Sequence, residues 1–338
     1  MTSESEQLSC AKPLLTIAIP TYNRSACLRE LLSALFDQLI AEPRVELIVS
    51  DNASPDDTPL VVKEFAKCGL QLRYLRNETN IGSDANFLQC FEQAHGKYVW
   101  ILSDDDVLAT DAIPKIMMYL EREEYDLVYV NSYSFTGSHT PGPAVPGRKP
   151  TKFLDPREYV RRIHVFFTFI SGNIINKDRV LASHESQLSA LVGTSLAQLG
   201  WTYTALNGYA QGLYIHEKLV GMRLNNTGGY NALQVFGPTL KTVTDEWLHS
   251  KALRRLVFNG TILKFWPGLL LKYRKSAGSF AIEAHPRKTL SSAFGNNPRY
   301  WVFVYPIHVL PYPLAASWLF CVRVLNRIDK SFGLVLLK

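Results

Sequence analysis

Apolar runs alternate with helical stripes along the first part of the chain. Leu14 to Ile19 is a strand-like run closed by Pro20-Thr21-Tyr22-Asn23-Arg24. Apolar residues then fall at Leu28, Leu31, Leu32, Leu35 and Leu39, the spacing of one buried helix face. Val45 to Val49 predicts a second strand, ending in Ser50-Asp51-Asn52. Pro55 to Thr58 reads as a turn, Leu60 to Phe65 as a short helix and Leu70 to Leu75 as a third strand. Asn80-Ile81-Gly82-Ser83 is a loop before a helix from Asp84 to Ala94. Tyr98 to Leu102 mixes aromatic and β-branched residues, the mark of a buried strand. A helix from Asp111 to Glu123 and a strand from Leu127 to Val130 follow. This alternation predicts βαβ units and a mostly parallel sheet with flanking helices.

The pattern then loosens. Gly137 to Pro150 is rich in Pro, Gly, Ser and Thr and reads as a surface loop over the strand ends. Asp155-Pro156 starts a helix, with Asp as cap and Pro in the first turn. Phe166, Phe167 and Phe169 form an aromatic cluster before Ser171-Gly172-Asn173 and a short strand, Ile174-Ile175. Gly193 to Ala205 predicts another helix, and Tyr214 to Val220 a strand. The polar loop from Asn225 to Asn231 is of the kind that closes on a ligand. Between 263 and 275, Phe265, Trp266, Leu269, Leu270 and Tyr273 mix with Lys264, Lys272, Arg274 and Lys275, a combination suited to a lipid headgroup boundary. Trp301 to Val322 is 22 residues without a formal charge. It is long enough to span a bilayer, but Pro306, Pro311 and Pro313 favour an interfacial or re-entrant element, with a plain buried core as the alternative. We divide the chain into a disordered 1–13, a nucleotide-binding half at 14–131, an acceptor-binding half at 132–235 and a basic helical region at 236–338.

Charge sharpens this division. Net charge is +6, yet residues 251–338 hold 14 Lys/Arg against 2 Asp/Glu, leaving −6 on the rest. The last quarter therefore faces an anionic partner: an anionic membrane surface, nucleic acid or a phosphate-bearing substrate. Five scattered cysteines with no CxxC argue for a reducing compartment and against structural zinc. The polar, acidic stretch from Met1 to Cys10 does not read as a secretory signal.

The densest chemistry is Ser103-Asp104-Asp105-Asp106, directly after the fourth strand. Adjacent carboxylates at the mouth of a core strand repel, and desolvation raises their pKa values unless a cation compensates. Hard oxygen ligands suit Mg²⁺ or Mn²⁺, which leaves coordination positions for substrate phosphates. Ligands of open α/β sheets bind at the carboxyl ends of strands. The plainer reading is a solvated acidic turn before a helix. Neither GxGxxG nor GxxxxGK[ST] occurs, which disfavours dinucleotide and P-loop readings.

Pro20 to Arg24, Ser50 to Ser54, Asn80-Ile81-Gly82 and Ser103 to Asp106, in order and each at a strand end or helix entry, resemble the GT-A glycosyltransferases of family 2. The likeness covers roughly residues 14 to 131. Asn80 to Phe87, Trp100 to Asp106, Gly193-Thr194-Ser195 with Gln198 to Trp201, and Gly228 to Asn231 are further similar to bacterial abequosyltransferases. The resemblance implies transfer of a hexose, a 3,6-dideoxyhexose such as abequose, from a nucleoside diphosphate such as CDP. It implies a lipid-diphosphate-linked O-antigen oligosaccharide as acceptor, at the cytoplasmic face of a bacterial inner membrane. The alternative within the family is an inverting enzyme using a UDP- or dTDP-sugar.

Residue by residue, the resemblance places Thr21, Asn23, Arg24 and Asp51 around the nucleotide. Asn80, Gly82 and Asn86 border ribose and diphosphate. Asp104, Asp105 and Asp106 occupy the metal motif, with Asp105 the first choice for a direct ligand to Mn²⁺ or Mg²⁺. Inverting relatives carry an acidic base on a later helix, and Gly193 to Leu199 has no carboxylate. Glu185 and Glu217 are the nearest acidic candidates, and His184 or His216 could replace them. The missing base points to retention of anomeric configuration. The Phe166–Phe169 cluster is the candidate apolar pocket for a dideoxy sugar. A nucleotidyltransferase would need a Gly- and Arg-rich first loop, which Pro20 to Arg24 is not. A nucleic-acid-binding protein leaves the acidic strand ends unexplained.

Overall fold

The computed structural model describes residues 12–183, 187–224, 229–275 and 285–332. The expected disordered N-terminus lies almost wholly outside them.

A nine-stranded sheet runs in the order β3-β2-β1-β4-β8-β6-β9-β5, with β7 paired to β9. The strands are β1 Leu15–Thr21, β2 Val45–Asp51, β3 Arg73–Arg76, β4 Tyr98–Ile101, β5 Val107–Leu108, β6 Leu127–Phe135, β7 Thr151–Phe153, β8 Asn173–Asn176 and β9 Gly212–Arg223. β3-β2-β1-β4 is parallel, as expected from its βαβ units. Beyond β4 the sheet is mixed: β8 is antiparallel to β4 and β6, while β6 and β9 are parallel. The expected mostly parallel sheet is thus corrected to a mixed one. β5 and β7, too short to show a period, are antiparallel partners of β9. β6 passes through residue 131, so the two halves divided there share one sheet.

Alternation along the strands builds two cores. Leu15, Ile17 and Ile19 of β1 face one side, with Tyr98 and Trp100 of β4. Ala18, Val99 and Ile101 face the other. Helices α1 Ser25–Leu39 and α4 Ala112–Arg122 cover the first face. α1 buries the five leucines its period named. α2 Thr58–Lys67 lies beyond α1 on that side. The second face takes α3 Ser83–Gln93, α5 Pro156–Ile163, α6 Lys177–Ala182 and α7 Gln198–Asn207. Helix does not begin at Gly193: residues 193–197 form a turn with Gly193 and Ser195 at positive φ, and α7 starts at Gln198.

The last third is helical: α8 Ala232–Gln234, α9 Leu240–Trp247, α10 Lys251–Gly260, α11 Trp266–Lys275, α12 Pro286–Phe294, α13 Tyr305–Val309 and α14 Tyr312–Phe332. π-turns at 235–239, 261–265 and 300–304 lead into α9, α11 and α13. α10 packs on α5, and Phe236, Phe258 and Phe265 join the sheet core to a third core around Trp266, Leu290, Tyr300 and Leu319. Leu263, Trp266 and Leu270 of the aromatic–basic stretch are buried in the protein, while Lys264, Lys272, Arg274 and Lys275 are exposed. Residues 301–322 break at Leu310-Pro311, and no helix among the described residues is long and apolar enough to cross a membrane.

Gly96, just before β4, sits against the backbone of β1. A Cβ there would meet the Thr16 nitrogen at 2.6 Å and the Leu15 carbonyl carbon at 2.8 Å. Gly96→Ala should therefore cost about 1–3 kcal/mol and lower Tm by roughly 3–10 °C, read by thermal unfolding. An unchanged Tm would mean that β1 and β4 can separate freely.

Candidate active site

The site lies where β1, β2 and β4 end. β4 runs out at Ile101, and the chain turns through Ser103 to Asp106 before β5 pairs with β9. That pairing holds the acidic turn at both ends. Ser171 ties it from beneath: its hydroxyl accepts from the Ser103 amide at 3.0 Å, and its carbonyl from Trp100 Nε1 at 2.9 Å.

The three aspartates have different surroundings. Asp104 is buried; Oδ2 accepts from Thr21 Oγ1 at 2.8 Å and Oδ1 from Arg24 Nη1 at 3.1 Å. Burial pushes its pKa up to about 6, Arg24 pulls it down, and Asp105 adds a smaller upward push. Asp106 accepts from the Arg223 amide at 3.1 Å. Burial, then the charge of Asp105, raises it to about 7. Asp105 is the most open of the three at 8% exposed. It accepts from the Ser103 hydroxyl and lies 3.5 Å from Arg24.

Around this turn stand the other expected nucleotide residues. Asn23 has φ +55, and its amide donates to Ser54 Oγ at 3.0 Å, so the first loop is braced on the second. Asp51 is fully buried, with Oδ1 on the Ser54 amide at 2.8 Å, Oδ2 on Tyr74 Oη at 2.5 Å and Arg76 at 3.4 Å. Its carboxylate organises the pocket floor and does not stand open to a base. Asn80 and Gly82 form the entry to α3, hung on Asn52. The Asn52 amide donates to Asn80 Oδ1 at 2.8 Å and to the Gly82 carbonyl at 3.2 Å, while its oxygen accepts from the Ile81 amide. Asn86 does not face this space. It is buried and pinned to Ser50, whose hydroxyl donates to Asn86 Oδ1 at 2.6 Å and whose carbonyl accepts from Nδ2 at 3.0 Å.

Of the base candidates, Glu217 and His216 have described positions, and both are engaged elsewhere. Glu185 and His184 lie outside the described residues. Glu217 pairs with Lys115 of α4 at 2.5 Å. It sits six residues before Arg223 on β9, or about 20 Å along an extended strand. His216 is bonded to Thr151 Oγ1 at 2.8 Å. The Phe166–Phe169 cluster is mostly core: Phe167 is buried and Phe169 packs on the sheet, leaving Phe166 exposed at 44%.

Three residues escaped sequence reasoning. Arg223 donates from Nε to the Asp105 carbonyl at 3.0 Å, pairs with Glu30 and stacks 4.8 Å over Phe135. Ser171, which the sequence places only after the aromatic cluster, holds the acidic turn through the Ser103 amide. Asp84 is buried on the first turn of α3 and accepts the Gly193 and Ser195 amides at 2.9 and 2.7 Å. A carboxylate thus reaches the turn at 193–197, but from another element and committed to the backbone. Nothing local in the sequence signals contacts made across 68 to 118 residues.

A divalent ion fits this site in one mode. Among the described residues no group of three His, Cys, Asp or Glu gathers to enclose an ion. Hard carboxylate oxygens at Asp105, with Asp104 and Asp106 beside it, suit Mg²⁺ or Mn²⁺ held through one or two protein ligands, the rest coming from phosphate and water.

The architecture is that of a GT-A-like mixed α/β glycosyltransferase fold. Residues 16–181 match the family described as glycosyl transferase family 2. It is 37% identical over 111 residues to abequosyltransferase RfbV of Salmonella typhimurium, covering 32% of this chain and 33% of the relative. It is 33% identical over 106 residues to the GalNAc(5)-diNAcBac-PP-undecaprenol beta-1,3-glucosyltransferase of Campylobacter jejuni, covering 31% and 34%. The matched region spans about a third of the length of these relatives. S. aureus TarS 1-349 in complex with UDP superposes over 95% of this chain and 92% of its own, with a TM-score of 0.56 at 15% identity, a likeness of fold.

The raised aspartates give a signed pH dependence. A carboxyl whose folded pKa lies above its unfolded value of about 3.9 holds its proton more tightly when folded. In EDTA these two groups therefore destabilise the fold progressively as pH rises from about 4 to about 7. Asp106→Asn removes one of them. Its Tm relative to wild type should climb across that window and level off above it. A difference independent of pH would contradict the raised value.

Proposed function

We propose that the chain is a glycosyltransferase that moves a dideoxyhexose from a nucleoside-diphosphate sugar, CDP-abequose first among candidates, to a lipid-diphosphate-linked oligosaccharide of an O-antigen. The observation that carries this reading is the Asp104–Asp106 turn set beside Thr21 and Arg24 at the strand ends of a region that matches family 2. The likeness to an abequosyltransferase supports the sugar, and the name of the Campylobacter relative supports a diphosphate-linked polyprenol acceptor. The cytoplasmic face of the inner membrane follows from such an acceptor together with the basic last quarter.

Asp105, with Asp104 or Asp106 beside it, would hold Mn²⁺ or Mg²⁺, whose contribution when bound is to neutralise the departing diphosphate. Arg24 keeps Asp104 ionised despite burial and adds a second positive charge at the same edge. Thr21 fixes the Asp104 rotamer, and Arg223 with Ser171 fixes the turn, so the carboxylates are oriented before substrate arrives. Asn52 sets the Asn80–Gly82 loop, whose amides and α3 N-terminus border the diphosphate space.

The transfer retains configuration. The turn at 193–197 carries no carboxylate or imidazole of its own, and Asp84 is bonded to its amides. A same-face displacement leaves the acceptor proton to the departing phosphate oxygen.

Asp105→Ala should cut transfer from CDP-abequose by about a thousandfold or more, with Tm within a few degrees of wild type. Full activity in that variant, or in excess EDTA, would remove the metal assignment. Glu185→Gln and Glu217→Gln should each stay within about tenfold, less than the loss of a true base. Proton NMR of the early product should show an α anomeric signal from an α-linked donor. A β signal would establish inversion.

A further inference from the structure

Helix α14 is apolar on two opposite sides. Ala315, Leu319 and Val322 point inward, onto α11 and the third core. Leu314 and Phe320 point outward, 56% and 68% exposed, with Ser317, Cys321 and Leu325 also exposed. Trp301 and Val302 of the π-turn, and Val309 and Tyr312 at the α13–α14 junction, are exposed too. A surface helix in water normally turns charge outward. Here the solvent side carries none between Trp301 and Val322. Exposed apolar side chains gathered on one region of a protein, when they form a large patch, mark protein or membrane interaction sites.

The surroundings specify the partner. Arg299 precedes this stretch and Arg323 follows it, the latter beside Gly268 of α11. Arg274 donates to the Ile307 carbonyl at 2.5 Å and to the Leu310 carbonyl at 2.8 Å, so the basic end of α11, with Lys272 and Lys275, sits against the α13–α14 junction. Within residues 251–338 only Glu283 and Asp329 are acidic. Exposed tryptophan, tyrosine and aliphatic groups ringed by cations match a bilayer boundary: apolar groups enter the acyl edge and cations meet lipid phosphates.

We propose that Trp301, Val302, Val309, Tyr312, Leu314 and Phe320 form a monotopic docking face that inserts into the headgroup region of an anionic bilayer. This deepens the reading of a lipid-linked acceptor and rests on it for purpose, though not for its test.

The test uses the full chain and vesicles of phosphatidylcholine with or without phosphatidylglycerol, and needs neither donor nor acceptor. Wild type should co-sediment with anionic vesicles at about 0.05 M salt and much less at about 0.5 M, because the surface potential is then screened. Leu314→Ser with Phe320→Ser should weaken vesicle binding at least about tenfold with Tm unchanged, since both side chains already face solvent. Trp301→Phe should remove most of the lipid-induced blue shift of tryptophan fluorescence. Wild-type binding to vesicles retained in the double variant would overturn the docking face. So would no vesicle binding by wild type, or a wild-type dimer in sedimentation velocity that the double variant dissolves while lipid has no effect. Any of these leaves glycosyl transfer standing, and failure of transfer in solution leaves the vesicle result standing.

Discussion

The structure depends on the compensation of one buried charge. Asp104 lies at the end of a core strand with almost no access to water, and Thr21 and Arg24 supply its hydrogen bond and its cation. Removing either would leave a desolvated carboxylate beside two others, an arrangement that folding does not tolerate without protonation. This contact also determines the geometry of the site. It draws the loop after β1 against the turn after β4, and the Asn23 amide carries the constraint on to Ser54 after β2. Three strand ends are thereby locked before any ligand is present.

The second half of the chain holds the turn from outside. β9 ends in Arg223, which reaches the Asp105 carbonyl, the Asp106 side chain and Glu30 of α1. β5 exists only because β9 accepts it as a partner. Asp84 joins α3 to the turn before α7 through two backbone amides. The first strand ends and the second half of the chain are therefore connected at two places. The C-terminal helices add a third core that stands on α5 and α10 and carries the uncovered apolar face.

What could be read from the sequence divides along physical lines. Period and run length located β1, α1, β2, α3, β4 and α4, because each buries a continuous face and its pattern is local. The same logic failed for β5 and β7, which are held by pairing alone, and for 193–197, where Gly193, Thr194 and Ser195 are poor helix formers and form a turn whose amides donate to Asp84. The place of the acidic turn was legible because three consecutive carboxylates end an apolar run that reads as a core strand. Arg223, Ser171 and Asp84 were not, since each acts across a long sequence separation. Asn86 and Asp51 are buried and hydrogen-bonded to neighbouring elements, which their motifs do not signal. The aromatic–basic stretch at 263–275 had the composition of an interface and the burial of a core, as only packing could decide.

The central claim is that the strand-end aspartates bind a nucleoside diphosphate together with a divalent cation. Isothermal titration of the wild-type chain with CDP, UDP, GDP and dTDP, in Mn²⁺ and again in EDTA, tests it directly. One nucleotide, CDP first, should bind at least about tenfold more tightly in Mn²⁺ than in EDTA, a difference of about 1.4 kcal/mol or more. Equal affinity in the two buffers, or no heat from any of the four nucleotides, would contradict the account.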